Sequence, residues 1–156
     1  MQNPPPDQQN YQTPYTPPPP STGTKSGMGL EPNIAAAISY IWIVGLIFFF
    51  IEKENRFIRF HAMQSVLYGL LWTVVMIVLM IVNVIIAIVA TAGAAAAGSA
   101  GGIISLLVWL ISMVIWLVVP LAYLGGLILA AVKAYQNQWF KLPVIGNMAE
   151  KIANKA

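Results

Sequence analysis

"IEKENRFIRFHAMQS", residues 51–65, interrupts an otherwise apolar chain. Five charged residues (Glu52, Lys53, Glu54, Arg56 and Arg59) fall within eight positions, and the only histidine, His61, follows directly. On its two sides lie "NIAAAISYIWIVGLIFFFI" (33–51) and a run that stays apolar from Ala62 to Ala92. The stretch is therefore either a chemical site or a boundary between membrane segments.

Composition favours the boundary. The chain is 58% hydrophobic and 8% charged, whereas a soluble domain carries roughly 25% charged residues. With 156 residues and a mean hydropathy of +0.74, the expected class is an all-α polytopic membrane protein. The absence of cysteine excludes disulfides, thiolate metal sites and cysteine nucleophiles. A net charge of +3 suits anionic lipid head groups; no basic stripe interleaved with aromatics points to nucleic acid. Residues 1–30 hold eight of the eleven prolines up to position 20, together with Gln, Ser, Thr and Gly, and are expected to form a disordered or polyproline II tail. They contain no apolar run of the kind a signal peptide needs. "YTPPPP" (15–20) matches ligands of aromatic grooves, although a solvated tail is the simpler reading.

Three spans are expected, at about 33–51, 62–92 and 103–134. The first has about the minimum length to cross hydrocarbon. The other two reach roughly 45 Å each and should tilt or project. The third is read as one helix kinked at Pro120, with Gly125–Gly126 beyond it, because no polar turn divides it. "TAGAAAAGSAGG" (91–102) reads as a short, weakly structured linker. Lys53, Arg56 and Arg59 follow the first span, and Lys133, Lys141, Lys151 and Lys155 close the third or follow it; only Lys25 precedes the first. With three spans, this distribution predicts a cytoplasmic C-terminus and an extracytoplasmic N-terminal tail.

On a helical wheel Glu52, Asn55, Arg56 and Arg59 gather opposite Phe57, Ile58 and Phe60, which predicts an interfacial amphipathic turn. A Glu52–Arg56 pair would contribute about 0.3–0.5 kcal/mol. His61, Gln64, Ser65, Tyr68 and Trp72 then share one helical face, with Asn83 deeper on the same side. Ser105, Trp109, Ser112, Trp116 and Tyr123 form a matching stripe. Polar atoms in hydrocarbon need partners, so both stripes should face inward, each bond worth about 0.6 kcal/mol. A second amphipathic segment is expected at 143–156, with Val144, Ile145, Met148 and Ile152 on its apolar edge.

The stripes do not read as a catalytic site. One histidine without an inward Asp or Glu is too few ligands for zinc, a Ser–His–acid triad lacks its acid, and no glycine-rich phosphate loop is present. No catalytic, cofactor or metal residue is assigned. For His61 a bonded structural histidine is weighed above a proton relay or ligand. Gln64, Ser65 and Asn83 are weighed as interhelical glue above a substrate path.

"NRFIRFHAMQSVLYGLL" (55–71), taken with "AYQNQWFKLPVIGNMAEKIA" (134–153), resembles a family of small bacterial membrane proteins of unknown function related to the twenty-kilodalton Tic subunit of the chloroplast protein-import translocon. The first motif is carried by Phe57, Arg59, Phe60, His61, Ala62 and Gln64. The second is carried by Leu142, Pro143, Val144 and Ile145. The similarity covers roughly residues 31–153. It implies a multi-pass protein of the bacterial cytoplasmic membrane. In the plastid relatives it implies membership of a protein-import complex; together with the lack of catalytic residues, the expectation is a non-enzymatic role in a membrane complex, of the translocation or assembly kind, without cofactors. Expected partners are the bilayer, further copies of the chain or other membrane proteins, docking at Arg56 and the motif residues. The alternative is a small oligomeric transporter or channel lined by Ser65, Tyr68, Asn83, Ser105, Ser112 and Tyr123.

Overall fold

The computed structural model describes residues 25–155; the proline-rich stretch before them, with its "YTPPPP" segment, lies outside the described residues. The described residues form five α-helices: α1 (Pro32–Ile38), α2 (Trp42–Ile51), α3 (Arg56–Ala96), α4 (Gly101–Tyr135) and α5 (Gly146–Lys155). Among the described residues there is no strand.

Two helices dominate. α3 has 41 residues and α4 has 35, which at 1.5 Å per residue makes them roughly 60 and 50 Å long. Both are long and apolar enough to cross a membrane. The expected linker at 91–102 is mostly helix: its alanines, the best helix formers, carry α3 to Ala96. The reversal is confined to Gly98, at φ 57°, and a single 3₁₀ turn over Gly98–Ala100. Gly101 then lies against the Ala94 backbone, where a side chain would collide. α4 runs unbroken through Pro120.

The first expected span is not one helix. Its chain breaks at Ser39–Ile41, where the Ser39 hydroxyl donates to the Ala36 carbonyl at 2.7 Å and Ile41 turns extended at φ −77°, ψ 111°. Seven residues of α1 and ten of α2 reach only about 10 and 15 Å. They form a hairpin. α1 climbs beside the end of α4: Asn33 Nδ2 donates to the Tyr135 carbonyl, and Ala36 and Tyr40 pack with Ala130 and Ala134. α2 descends along α3: Trp42 lies on Gly69, Gly45 against Ser65, and Phe48 against Ile58 and Ala62. Its end meets the start of the described chain, since the Gly27 N–H donates to Glu52 Oε2 at 2.8 Å. Residues 25–30 are accordingly an ordered turn, closed by Ser26 N–H to Leu30 O at 2.8 Å.

The break is tolerated because its polar backbone is answered. The Ser65 hydroxyl lies 2.6 Å from the Ser39 carbonyl. Gly45 is what lets the two helices come so close: a Cβ there would collide with Ser65 Oγ and with that same carbonyl.

The core gathers at this end of the long pair. Phe57, Ile58, Arg59, Phe60, His61, Ala62, Met63 and Gln64 are all buried, although they circle the whole of α3. The expected interfacial amphipathic turn is therefore the buried foot of α3: α1 and α2 cover one side, and α5 with the 136–145 segment covers the other. The Glu52–Arg56 pair does not form. Glu52 lies outside the helix and accepts from the Gly27 and Asn55 N–H groups. α5 is amphipathic, but it buries Ala149 and Ala153 against Phe60 and Met63, while Val144 and Met148 face outward.

Gly45→Val should detach α2 from α3 and lower the thermal midpoint of the detergent-solubilised protein by several degrees. Gly93→Ala should leave it unchanged or raise it, because nothing lies within 4 Å of a Cβ there and alanine favours helix by about 1 kcal/mol. Equal midpoints for Gly45→Val and wild type would contradict this packing.

Candidate functional site

The buried end holds a polar hub whose members come from three pieces of chain. Two caps set their positions. At the foot of α3, Asn55 Oδ1 accepts from the Phe57 and Ile58 N–H groups at 3.0 and 3.3 Å, answering two donors of the first turn. At the end of α4, Asn137 turns left-handed at φ 59°. The Gln138 N–H then reaches the Lys133 carbonyl and the Asn137 N–H the Ala134 carbonyl, a Schellman closure. This turn aims the Gln138 and Phe140 carbonyls back at α3.

The hub follows. His61 Nε2 lies 3.2 Å from the Gln138 carbonyl and Nδ1 lies 3.0 Å from the Tyr40 hydroxyl. A carbonyl only accepts, so Nε2 carries the proton and Nδ1 of the neutral ring takes the Tyr40 O–H. The Tyr40 oxygen in turn accepts from Gln64 Nε2 at 2.7 Å. Gln64 Nε2 also donates to the Phe140 carbonyl at 3.1 Å, and its Oε1 accepts from the Leu142 N–H at 3.1 Å. The carbonyl and the N–H fix which way the amide points. Phe57, Phe60 and Tyr40 meet the imidazole edge-on at 4.6, 4.9 and 5.8 Å, and Trp139 lies against Phe57 and Phe60.

The two sequence motifs thus meet in one place. Arg59, Phe60, His61 and Gln64 stand on α3, and Leu142 is bonded to them through Gln64. Pro143 is exposed and starts a tight turn, in which the Ile145 N–H reaches the Pro143 carbonyl across Val144, at φ 69°. Arg56 is exposed. Arg59 is buried over the Phe49 ring at 5.7 Å, with Nη1 3.5 Å from the Lys53 carbonyl and its Nε unpartnered. An ion pair, Lys141–Glu150 at 2.8 Å, ties the 136–145 segment to α5.

The remaining polar residues line the long pair. Tyr68 and Trp72 stack on Tyr123 at 4.7 and 4.3 Å, and the Tyr68 hydroxyl donates to the Tyr123 carbonyl. Higher up, Asn83 Nδ2 donates to Ser112 Oγ at 3.0 Å. Ser105 is exposed in a cleft beside that pair, lined also by Trp109. The stripes are brought together at Tyr68–Tyr123 and Asn83–Ser112 but not at Ser105.

Sequence reasoning missed Tyr40, Ser39 and Gly45, because a single apolar span gave them nothing to do. The signal was present: Ser39 and Tyr40 are adjacent polar residues in the middle of that run. The Gln138 and Phe140 carbonyls had no signal, since backbone positions depend on the turn at Asn137. Chemically, the hub spends its polar atoms on itself. No group of three His, Cys, Asp or Glu able to hold a metal occurs among the described residues.

Gln64→Leu would leave the Leu142 N–H and the Phe140 carbonyl buried without partners, at about 1–3 kcal/mol each. Asn83→Leu should cost only about 0.6 kcal/mol. Equilibrium unfolding in detergent should rank them in that order; a smaller loss for Gln64→Leu than for Asn83→Leu would contradict the hub's structural weight.

Residues 30–149 match the sequence model of the magnetosome magnetite crystal formation protein family, MamF/MmsF. A UPF0132 membrane protein of Methanocaldococcus jannaschii is 34% identical over 133 residues, covering 81% of this chain and 93% of the relative. A UPF0132 membrane protein of Archaeoglobus fulgidus is 31% identical over 125 residues, covering 78% and 95%. No solved structure matches. The matched region takes in the hairpin, both long helices, the hub and the start of α5, so the chain belongs to the MamF/MmsF family of small membrane proteins.

Proposed function

We propose that this chain is a non-enzymatic integral membrane protein that acts by assembly, with both described ends in the cytoplasm. One observation carries the topology. No charged residue occurs between Arg59 and Lys133, and the returning α1–α2 hairpin brings Lys25 to the same end of the long pair as the remaining lysines and arginines. All eight Lys and Arg then lie on one side, the distribution that the positive-inside rule assigns to the cytoplasm. In this reading α3 and α4 cross the membrane, and the hairpin enters and leaves on the cytoplasmic face. The N-terminal tail is then cytoplasmic too, in place of the extracytoplasmic position that three spans imply.

The assembly reading rests on how the site is used. His61, Gln64 and Tyr40 hold segments together, while Arg56, Val144 and Met148 stay exposed at the same end as docking positions. The Tic-like resemblance points to the same kind of role, a component of a membrane complex. The family description names magnetite crystal formation, whereas the archaeal relatives are described only as membrane proteins. The proposal attaches to the shared membrane domain. A small oligomeric channel is the second reading, favoured by Asn83 and Ser112 lining clefts between α3 and α4. It requires solute flux in liposomes that Asn83→Leu alters.

The chain has no cysteine, so single introduced cysteines report topology cleanly. In intact cells an impermeant maleimide should label Ala97→Cys and spare Lys25→Cys and Lys155→Cys. Labelling of position 25 together with 97 would restore three spans. Photo-crosslinkers at positions 56 and 148 should yield adducts with a second copy or a defined membrane protein; adducts with lipid alone would remove the assembly role.

A further inference from the structure

The helix bundle is unequal along its length. At the charged end α1 and α2 stand beside α3 and α4, with α5 packed against the foot of α3. At the far end, around the Gly98 turn, α3 and α4 are the only helices among the described residues. The hairpin apex is level with Gly69, where Trp42 rests on α3. That point lies thirteen residues from Arg56, the first residue of α3, or roughly 20 Å along the helix. A bilayer with its head groups is about 40–45 Å thick, so the hairpin's depth is that of one leaflet.

The outer side of the hairpin has a clear occupant. Ile41, Trp42, Ile43 and Phe50 are 62%, 62%, 65% and 68% exposed, with Leu46 and Ile47 between them. α2 itself, WIVGLIFFFI, contains no charged side chain. Lysines and arginines border its base. An apolar, aromatic-bearing face above a cationic rim fits the acyl chains and anionic head groups of a single leaflet.

We propose that the α1–α2 hairpin is a one-leaflet wedge, through which the protein favours membranes that curve with its charged end on the convex side. The physical reason is area. The charged-end leaflet accommodates four helices and the opposite leaflet two, and the mismatch is relieved when the first leaflet is expanded relative to the second. The proposal extends the membrane topology above, but the curvature preference is defined by the molecule's own charged end and does not depend on which end faces the cytoplasm.

Full-length protein carrying Lys155→Cys or Ala97→Cys is reconstituted in giant vesicles of phosphatidylcholine with phosphatidylglycerol. An impermeant dye added outside then marks only charged-end-out molecules in the first case and only inverted molecules in the second. Membrane tubes pulled outward make the outer leaflet convex. Labelled Lys155→Cys protein should at least double its density in the tube relative to the parent membrane, more so in narrower tubes, and labelled Ala97→Cys protein should be depleted. Asn83→Leu, remote from the hairpin, should sort like wild type. Equal density in tube and parent membrane, or the same sign in both orientations, overturns the wedge. Failure of the cytoplasmic orientation would appear instead as labelling of positions 25 and 155 and sparing of position 97 in intact cells, with sorting in vesicles unaffected.

Discussion

The side-chain amide of Gln64 is the contact on which the rest of the charged end depends. Its nitrogen holds the Tyr40 hydroxyl at the hairpin and the Phe140 carbonyl after α4, and its oxygen holds the Leu142 N–H. Three segments that are far apart in sequence are fixed by one residue that is fully buried. His61 repeats the pattern one turn earlier, joining Tyr40 to Gln138. A buried amide is costly when unpaired, so once the hub forms, each bond makes the loss of the others more expensive. This accounts for two neighbouring polar residues on a helix that becomes almost wholly apolar after them.

The hub also explains why a broken helix is stable in this setting. A hairpin inside or at the edge of a membrane exposes carbonyl and N–H groups that water cannot reach. Here the Ser39 carbonyl is met by Ser65, and Tyr40, next in sequence, is drawn into the hub. Gly45 and Gly69 supply the close approach, the first to Ser65 and the second to the Trp42 ring. Small residues at the contact and hydroxyls at the break are the means by which membrane helices usually pack.

The two ends of the molecule are stabilised by different physics. At the foot of α3, aromatic and aliphatic side chains are buried by the surrounding segments, with Phe57, Ile58 and Phe60 at most 1% exposed. Along the upper part of the long pair nearly every large side chain is exposed, and the helices meet through the Tyr68–Tyr123–Trp72 stack and the Asn83–Ser112 bond. That surface is suited to lipid, in which exposure of Leu, Ile and Val carries no penalty. The one-sided thickening that results is a property of the fold, because it comes from where the hairpin turns back.

Much of this was legible in one dimension. The low charge content, the two long apolar runs and the gathering of Lys and Arg at their outer flanks require only local pattern and solvent preference. These suffice to place α3 and α4, to keep α4 whole across Pro120, and to mark His61 with Gln64 as polar residues needing partners. What a linear reading could not decide is whether "NIAAAISYIWIVGLIFFFI" crosses or returns. Its length and hydropathy permit both, and the choice rests on bonds to Ser65, His61 and Gln64, which lie more than twenty residues away. The same holds for residues 57–61, whose alternating charge and aromatic character resembles a surface helix until α1, α2, α5 and the turn at Asn137 close over every side. Periodicity reports which faces of a helix differ; only the tertiary structure determines how many of those faces find a neighbour.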